Sequence, residues 1–387
     1  MTNAQLEIQV ILVLVAVACA LPGVFLVLRK MALISDAISH SILPGIVIGF
    51  FITQDLASPW LILMATLTGV LTVVLVEYIQ KTGLVKEDTA IGLVFPSLFS
   101  LGVILIARNA GDVHLDLDAV LLGEVAFAPF NRWMYGGIDL GPKSLWMIGT
   151  ILGVSILLLL LFYKELKIAT FDTGLAASLG FAPVGIHYGL MTISSVTTVG
   201  AFDAIGAILV VAFMIVPAAC VYLLTTNLKK MLVWSSLVGV FSSIVGYWVA
   251  HVLDASIAGT IATLLGLLFF VVYLFAPNKG YISQWYRTKQ QKTEVAMLVF
   301  MLHLANHQEE ENERNIDHLQ EHINWTKQRA KKVLKLANQN NMIAINSRII
   351  NLTPKGLSFT QQAVTYISEN KNSELEGIKN DFFLFRG

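Results

Sequence analysis

Nine apolar windows follow one another through the first 276 residues, near 8–28, 33–53, 59–80, 89–107, 145–163, 184–200, 205–226, 231–253 and 256–276. A helix of about 20 apolar residues crosses roughly 30 Å of hydrocarbon, so each window can span a bilayer, the shorter ones with help from flanking residues. The expected fold is an all-α polytopic membrane protein of about nine transmembrane helices, followed by a small α+β domain. Composition agrees, because 56% of the 387 residues are hydrophobic and only 13% are charged, unlike a soluble globule.

Charge divides the chain and orients it. Residues 1–280 hold 12 Lys/Arg against 15 Asp/Glu, and residues 281–387 hold 14 against 11. The expected domains are a membrane part at 1–280, a polar linker at 281–292 and a soluble domain at 293–387. Arg29/Lys30, Lys81/Lys86, Lys164/Lys167, Lys229/Lys230 and Lys279 fall at alternate connections, which places those connections in the cytoplasm. The N-terminus is then outside and the C-terminal domain cytoplasmic. The start of the chain lacks a basic, cleavable signal sequence, so the first window reads as a retained span. Cys19 and Cys220 both lie in apolar windows and suggest neither a disulfide framework nor a zinc knuckle. The nearest string to a nucleotide-binding loop, Gly141-Pro142-Lys143-Ser144, lacks the adjacent Gly-Lys. The chain is therefore not expected to be an enzyme, and any ATP-driven role needs a separate subunit.

Asp36 and His40 stand inside the second window. Ionisable side chains in a membrane are costly and mark functional sites. The i, i+4 spacing puts both on one helix face, and carboxylate with imidazole suits a divalent transition metal. Two ligands are too few for a site, but two copies facing across a two-fold axis supply four. No resident cofactor is expected; the metal is cargo. The lack of thiolate leans slightly toward manganese or iron over zinc.

Local signals add detail. Gly149/Gly153 and Gly185/Gly189 are spaced for close helix contact, and Pro22, Pro44, Pro96 and Pro217 are expected to interrupt helices. Asp172 is placed to cap a short helix at Thr173–Leu179, ended by Gly180. Capped and rich in small residues between two spans, it reads as a lateral helix with a smooth Gly/Ala surface for a soluble partner.

Taken together, RKMALISDAISHSILPG (29–45), KEDTAIGLVFPSLFSLGV (86–103), LLGEV (121–125), FDTGLAASLGF (171–181) and VGAFDAIGAILVVAFMIVPAA (199–219) resemble the metal-cation permeases of ATP-binding cassette importers. The resemblance covers roughly residues 8–277. It implies a homodimeric or paired permease in a bacterial inner (plasma) membrane, two cytoplasmic ATP-binding subunits and an extracytoplasmic metal-binding protein. It also implies that Asp36 and His40 line the metal path. The ATPase would be met by the 172–181 segment, through Asp172, Gly174, Ala176, Ala177 and Gly180.

Other residues carry weaker signals. Glu124 is a second candidate path carboxylate, although a helix-end role is favoured. His114 lies in the run Asp112-x-His114-x-Asp116-x-Asp118, read chiefly as a solvated outer loop. His187 reads as a packed neutral histidine. In the tail, helices are expected at 293–307, 315–322 and 327–340, then a hairpin about Asn346-Ser347 and a helix at 357–368. That order is a winged helix, and Leu352-Thr353-Pro354-Lys355-Gly356 resembles the wing end of diphtheria-toxin-repressor-like metalloregulators. His303/His307 and His318/His322 are i, i+4 pairs that could sense cytoplasmic metal, with solvated histidines as the plainer reading. Lys327, Arg329, Lys331, Lys332 and Lys335 make a basic helix, yet nucleic acid is not expected as a partner of a tethered, weakly basic domain. The expected function is the permease of an ATP-driven importer of manganese, zinc or iron. A membrane-anchored, metal-responsive transcription regulator is the alternative; a secondary transporter would leave the 172–181 helix without a purpose.

Overall fold

The computed structural model describes residues 2–54, 58–109, 125–135, 138–316, 325–346 and 348–369. The chain divides into two compact units, Met1–Tyr281 and Ile282–Gly387.

The first unit is a helical bundle. Its elements are α1 (Asn3–Leu28), α2 (Ala32–Ser41), α3 (Leu43–Thr53), α4 (Pro59–Lys81), α5 (Glu87–Asn109), a 3-10 turn (Val125–Phe130), strands β1 (Arg132–Tyr135) and β2 (Ile138–Pro142), α6 (Lys143–Leu161), α7 (Tyr163–Phe171), α8 (Thr173–Ser178), α9 (Pro183–Ile205), α10 (Ala207–Leu224), α11 (Leu228–Leu253) and α12 (Ile257–Phe275). Among the described residues, eight helical segments are long and apolar enough to cross a membrane. The broken pair α2–α3 counts as one of them, Ala32–Thr53. The remaining window is α9, whose 23 residues give about 34 Å of helix. It is not among the eight because its middle is polar, with Ser194, Ser195, Thr197 and Thr198 all buried. These hydroxyls fit a helix packed inside the bundle against α1, α2, α4 and α6.

Helix α1 is the central pillar, packed against α6, α9, α10 and α11. Thr2 and Gln5 form a capping box at its start, satisfying two N–H groups that the first turn leaves open. At its end Lys30 adopts φ 62°, and Lys30 and Met31 donate to the carbonyls of Val27 and Leu26. This six-to-one closure reverses the chain sharply and delivers it into α2. Of the prolines expected to interrupt helices, Pro22, Pro96 and Pro217 lie inside continuous ones. Only Pro44 stands beside a break, in the first turn of α3, where its missing N–H costs nothing.

The close-contact glycines are not the expected ones. A Cβ on Gly149, Gly153 or Gly189 would meet nothing within 4 Å, and one on Gly185 only Ala182 Cβ at 3.7 Å. A Cβ on Gly23 would instead lie 1.8 Å from the Met214 carbonyl oxygen, and one on Gly69 2.2 Å from Ser195 Oγ. The helices touch where the fold crosses them, whatever the spacing of glycines. Gly23→Ala is therefore expected to cost about 1–3 kcal/mol through overpacking, while Gly149→Ala, in a helix interior with open space, is expected to stabilise by up to about 1 kcal/mol. Thermal unfolding midpoints of the two variants in detergent check this, and equal midpoints would contradict it.

At the other end of the bundle, β1 and β2 form an antiparallel hairpin. Arg132 ties it to α1 through a two-pronged contact with Glu7 at 3.1 and 3.2 Å, and also meets Asp139. The Gly141 N–H and Arg132 hold the Asp139 carboxyl below its usual range. This contribution is present above the ordinary carboxylate pKa and fades as pH falls through the depressed one.

The second unit contains α13 (Tyr281–Asn306, whose first residue belongs to the first unit), α14 (Lys327–Gln339), β3 (Ile343–Asn346), β4 (Ile349–Leu352) and α15 (Pro354–Glu369). Its core joins Met297, Phe300, Met301 and Leu304 of α13 to Val333, Ala337, Ile343, Ile350 and Phe359. One expectation needs correction, and the expected linker takes a regular form. Residues 281–292 are the first half of α13, because Gln, Lys, Arg and Trp sustain a helix without an apolar stripe. Asn315 does not begin a helix; it bridges to Ile349, and the Ile316 N–H donates to the Arg348 carbonyl. The rest of the expected second tail helix lies outside the described residues.

Candidate functional site

Helix α2 is covered on most sides, with Ile34, Ser35, Ala37, Ile38, Ser39 and Ser41 buried. Several of these are fixed to neighbours. Ser35 Oγ donates to Met214 Sδ of α10 at 2.9 Å, and Ser41 Oγ pairs with Thr72 Oγ1 of α4 at 2.6 Å. The stripe left open carries Leu33 at 50% exposure, then Asp36 and His40 with side chains 45% and 31% exposed. Asp36 Oδ1 and His40 Nε2 are 3.5 Å apart, and the imidazole ring lies 5.9 Å from that of Phe95 on α5. Packing thus holds the helix while its two metal-type ligands face out of the subunit. Among the described residues no three His, Cys, Asp or Glu side chains gather into a metal site. Glu124, His114, His318 and His322 lie outside the described residues.

The short helix α8 forms where its caps predict. Asp172 accepts from the Leu175 N–H at 2.8 Å. Gly180, at φ 84°, and Phe181 donate to the carbonyls of Ala177 and Ala176, closing the C-terminal end. The exposed face differs in part from the expected one. Ala176 is fully buried, whereas Leu175, Leu179, Phe171 and Val184 are 49%, 55%, 59% and 67% exposed. Gly174 and Ala177 are also exposed. The segment therefore presents a small apolar knob, and Ala176 seats it from below.

A polar knot flanks this segment. His187 and Tyr188 of α9, Glu77 and Lys81 of α4, Thr170 of α7 and Arg29 after α1 bond to one another. His187, expected as a packed neutral ring, meets Arg29 at Nδ1, while its Nε2 faces Glu77 at charge-contact distance without making a hydrogen bond. Glu77 is absent from the sequence reading, where Arg29 enters only as a marker of sidedness and of the 29–45 motif; the available signal for Glu77 is an acid near the end of the apolar window 59–80.

In the second unit the His303 and His307 rings lie with centroids 4.7 Å apart, tilted at 44°. Each faces a carboxylate, Glu313 at 3.5 Å and Glu310 at 3.6 Å.

Residues 3–276 match the ABC 3 transport family. The chain belongs to that family. It is 47% identical over 360 residues to the zinc transport system membrane protein TroD of Treponema pallidum, covering 92% of this chain and 98% of that protein. It is 45% identical over 284 residues to the manganese transport system membrane protein MntD of Bacillus subtilis, covering 73% of this chain and 96% of that protein. The solved structure of PsaBC from Streptococcus pneumoniae in complex with Fab superposes with TM-score 0.60 at 28% identity, over 73% of this chain and 96% of that one. The chain is thus a multi-pass permease subunit of an ABC importer of manganese, zinc or iron, and not an enzyme.

Proposed function

We propose that the permease conducts a divalent metal ion along a path shared with a second permease, identical or paired, and lined by Asp36 and His40 of each. The observation that carries this reading is the open stripe on an otherwise buried α2. Two such stripes facing each other double the ligand set and remove both carboxylates from lipid. Cytoplasmic ATP-binding subunits dock on the apolar knob at 171–184, and an extracytoplasmic binding protein delivers the metal to a bacterial inner membrane. Leu33→Cys is expected to form a disulfide between permease copies on mild oxidation, since Cys19 and Cys220 are buried. Val252→Cys, on a position 80% exposed on another helix, is the control. Absence of a Leu33 cross-link in cells expressing the complete transporter would place the stripe elsewhere than at the pairing face.

We infer further that the second unit is a winged-helix-like regulatory domain in the cytoplasm. Supporting this are the order helix, bridged segment, helix, hairpin and helix, and the adjacent His303 and His307 rings with their two glutamates. Deleting residues 286–387 is expected to leave uptake intact but no longer falling as internal metal rises, because a sensor acts only through its difference in affinity between two states. Metal content measured against external supply checks this. Loss of assembly after truncation would point to a structural tail.

A further inference from the structure

One guanidinium holds both flanks of the α8 segment. Arg29 Nε donates to Thr170 Oγ1 at 3.3 Å, just before the segment, and Arg29 Nη1 meets His187 Nδ1 at 3.1 Å, just after it. Beyond His187 the chain of contacts continues into α4. His187 Nε2 contacts Glu77 Oε1, and the other Glu77 oxygen accepts from the Tyr188 hydroxyl at 2.9 Å and from Lys81 Nζ at 3.4 Å. Arg29 itself stands at the corner between α1 and α2, where Lys30 turns the chain toward Asp36 and His40.

The donors and acceptors admit one assignment. Arginine only donates, so His187 Nδ1 accepts and the ring proton sits on Nε2, facing the carboxylate. His187 and Glu77 are only 18% and 12% exposed, where an unpaired charge is strongly disfavoured. Arg29 Nη2 and His187 Nε2 are both buried without a hydrogen-bond partner, so the His187–Glu77 step rests on charge proximity. Moving the 172–181 segment away from α4 must therefore either strand buried charges or carry the α1–α2 corner with it. The second course is the less costly. It turns displacement of a surface loop into displacement of the metal-bearing helix, through contiguous contacting groups.

We propose that Arg29, His187 and Glu77 are positioning residues that transmit movement of the 172–181 segment to the Asp36/His40 helix. The proposal rests on the reading that this segment docks the ATPase. The test uses the complete transporter in proteoliposomes, measuring radioactive manganese uptake and phosphate release on the same sample. His187→Leu is expected to hydrolyse ATP at a near-normal rate but to move about tenfold less metal per ATP, the equivalent of one hydrogen bond to a charged group. His187→Gln, whose amide offers one acceptor and one donor, is expected to restore most of that ratio. Arg29→Gln should repeat the loss if His187→Leu does not fold. Unchanged metal per ATP in an assembled His187→Leu complex overturns the proposal. So does an equal loss in the Leu and Gln variants, which would make the ring's shape and not its bonds responsible. The underlying docking reading is checked separately. If the ATPase still co-purifies fully with a Leu175→Asp/Leu179→Asp permease, that reading fails and the proposal with it. If that variant loses the ATPase while His187→Leu keeps normal coupling, only the transmission role fails.

Discussion

Asp36→Ala and His40→Ala are each expected to reduce metal uptake by about tenfold to a hundredfold or more, while the permease still folds and assembles. Loss of residues that merely support metal ligands already costs that much, and these two side chains are the candidate ligands themselves. Folding should survive because neither side chain carries the packing of α2. That falls to Ile34, Ile38 and Ser41, which are buried against the bundle. The 3.5 Å contact between Asp36 and His40 is a part-exposed pair, so its contribution to stability is small. The two variants separate path from scaffold. Uptake of manganese, zinc and iron would be measured beside the yield of intact complex. Normal uptake in both variants would remove Asp36 and His40 from the path. Loss of uptake accompanied by loss of complex would make them structural. Asp36→Glu is a useful third case, since it keeps the charge but lengthens the reach, and partial uptake with altered metal preference is expected.

What could be read from the sequence was what depends on near neighbours. Span length, the Asp36/His40 face and the caps of α8 follow from windows of a few to twenty residues. What escaped depends on distant ones. Arg29 and His187 are 158 positions apart, and Tyr188 and Glu77 are 111 apart; no local pattern announces such pairs. The same reason explains the glycines. Gly149 and Gly153 have the spacing for close contact but face open space within this chain, whereas Gly23 has no partner glycine and meets the Met214 backbone. Helix α9 blurred the count of spans because its buried hydroxyls lower its apolarity. Ser194 bonds locally to the Leu190 carbonyl, but Ser195 reaches the Thr66 carbonyl of α4, a solution visible only in three dimensions. In the tail, the hairpin at Ile343–Asn346 and Ile349–Leu352 was announced by turn chemistry. The bridge of Asn315 to Ile349 was not, since it pairs segments from separate parts of the domain.

The face of α8 was legible only in part for a related reason, and the difference changes which substitution tests it. Small residues suggest a smooth docking surface; Asp172, Gly174, Ala177 and Gly180 are exposed, but Ala176 is buried and Leu175, Leu179, Phe171 and Val184 add an apolar component. Ala176→Glu would push a carboxylate into the seat of the helix. It would probe local folding and docking together and distinguish neither. Leu175→Asp with Leu179→Asp alters only the exposed face, leaving the Asp172 cap and the Gly180 closure in place. Burying a leucine on a partner contributes about 1.5–3 kcal/mol, and a carboxylate in its place must also be desolvated. The double variant is therefore expected to weaken ATPase binding by about a hundredfold or more and to stop ATP-driven uptake. The permease itself should remain as stable to heat as the wild type. Co-purification of the ATPase, with thermal unfolding of the permease alone as control, decides the matter. Full ATPase binding by the double variant would show that the apolar knob meets something else, and a large fall in permease stability would mean that the two leucines serve the fold.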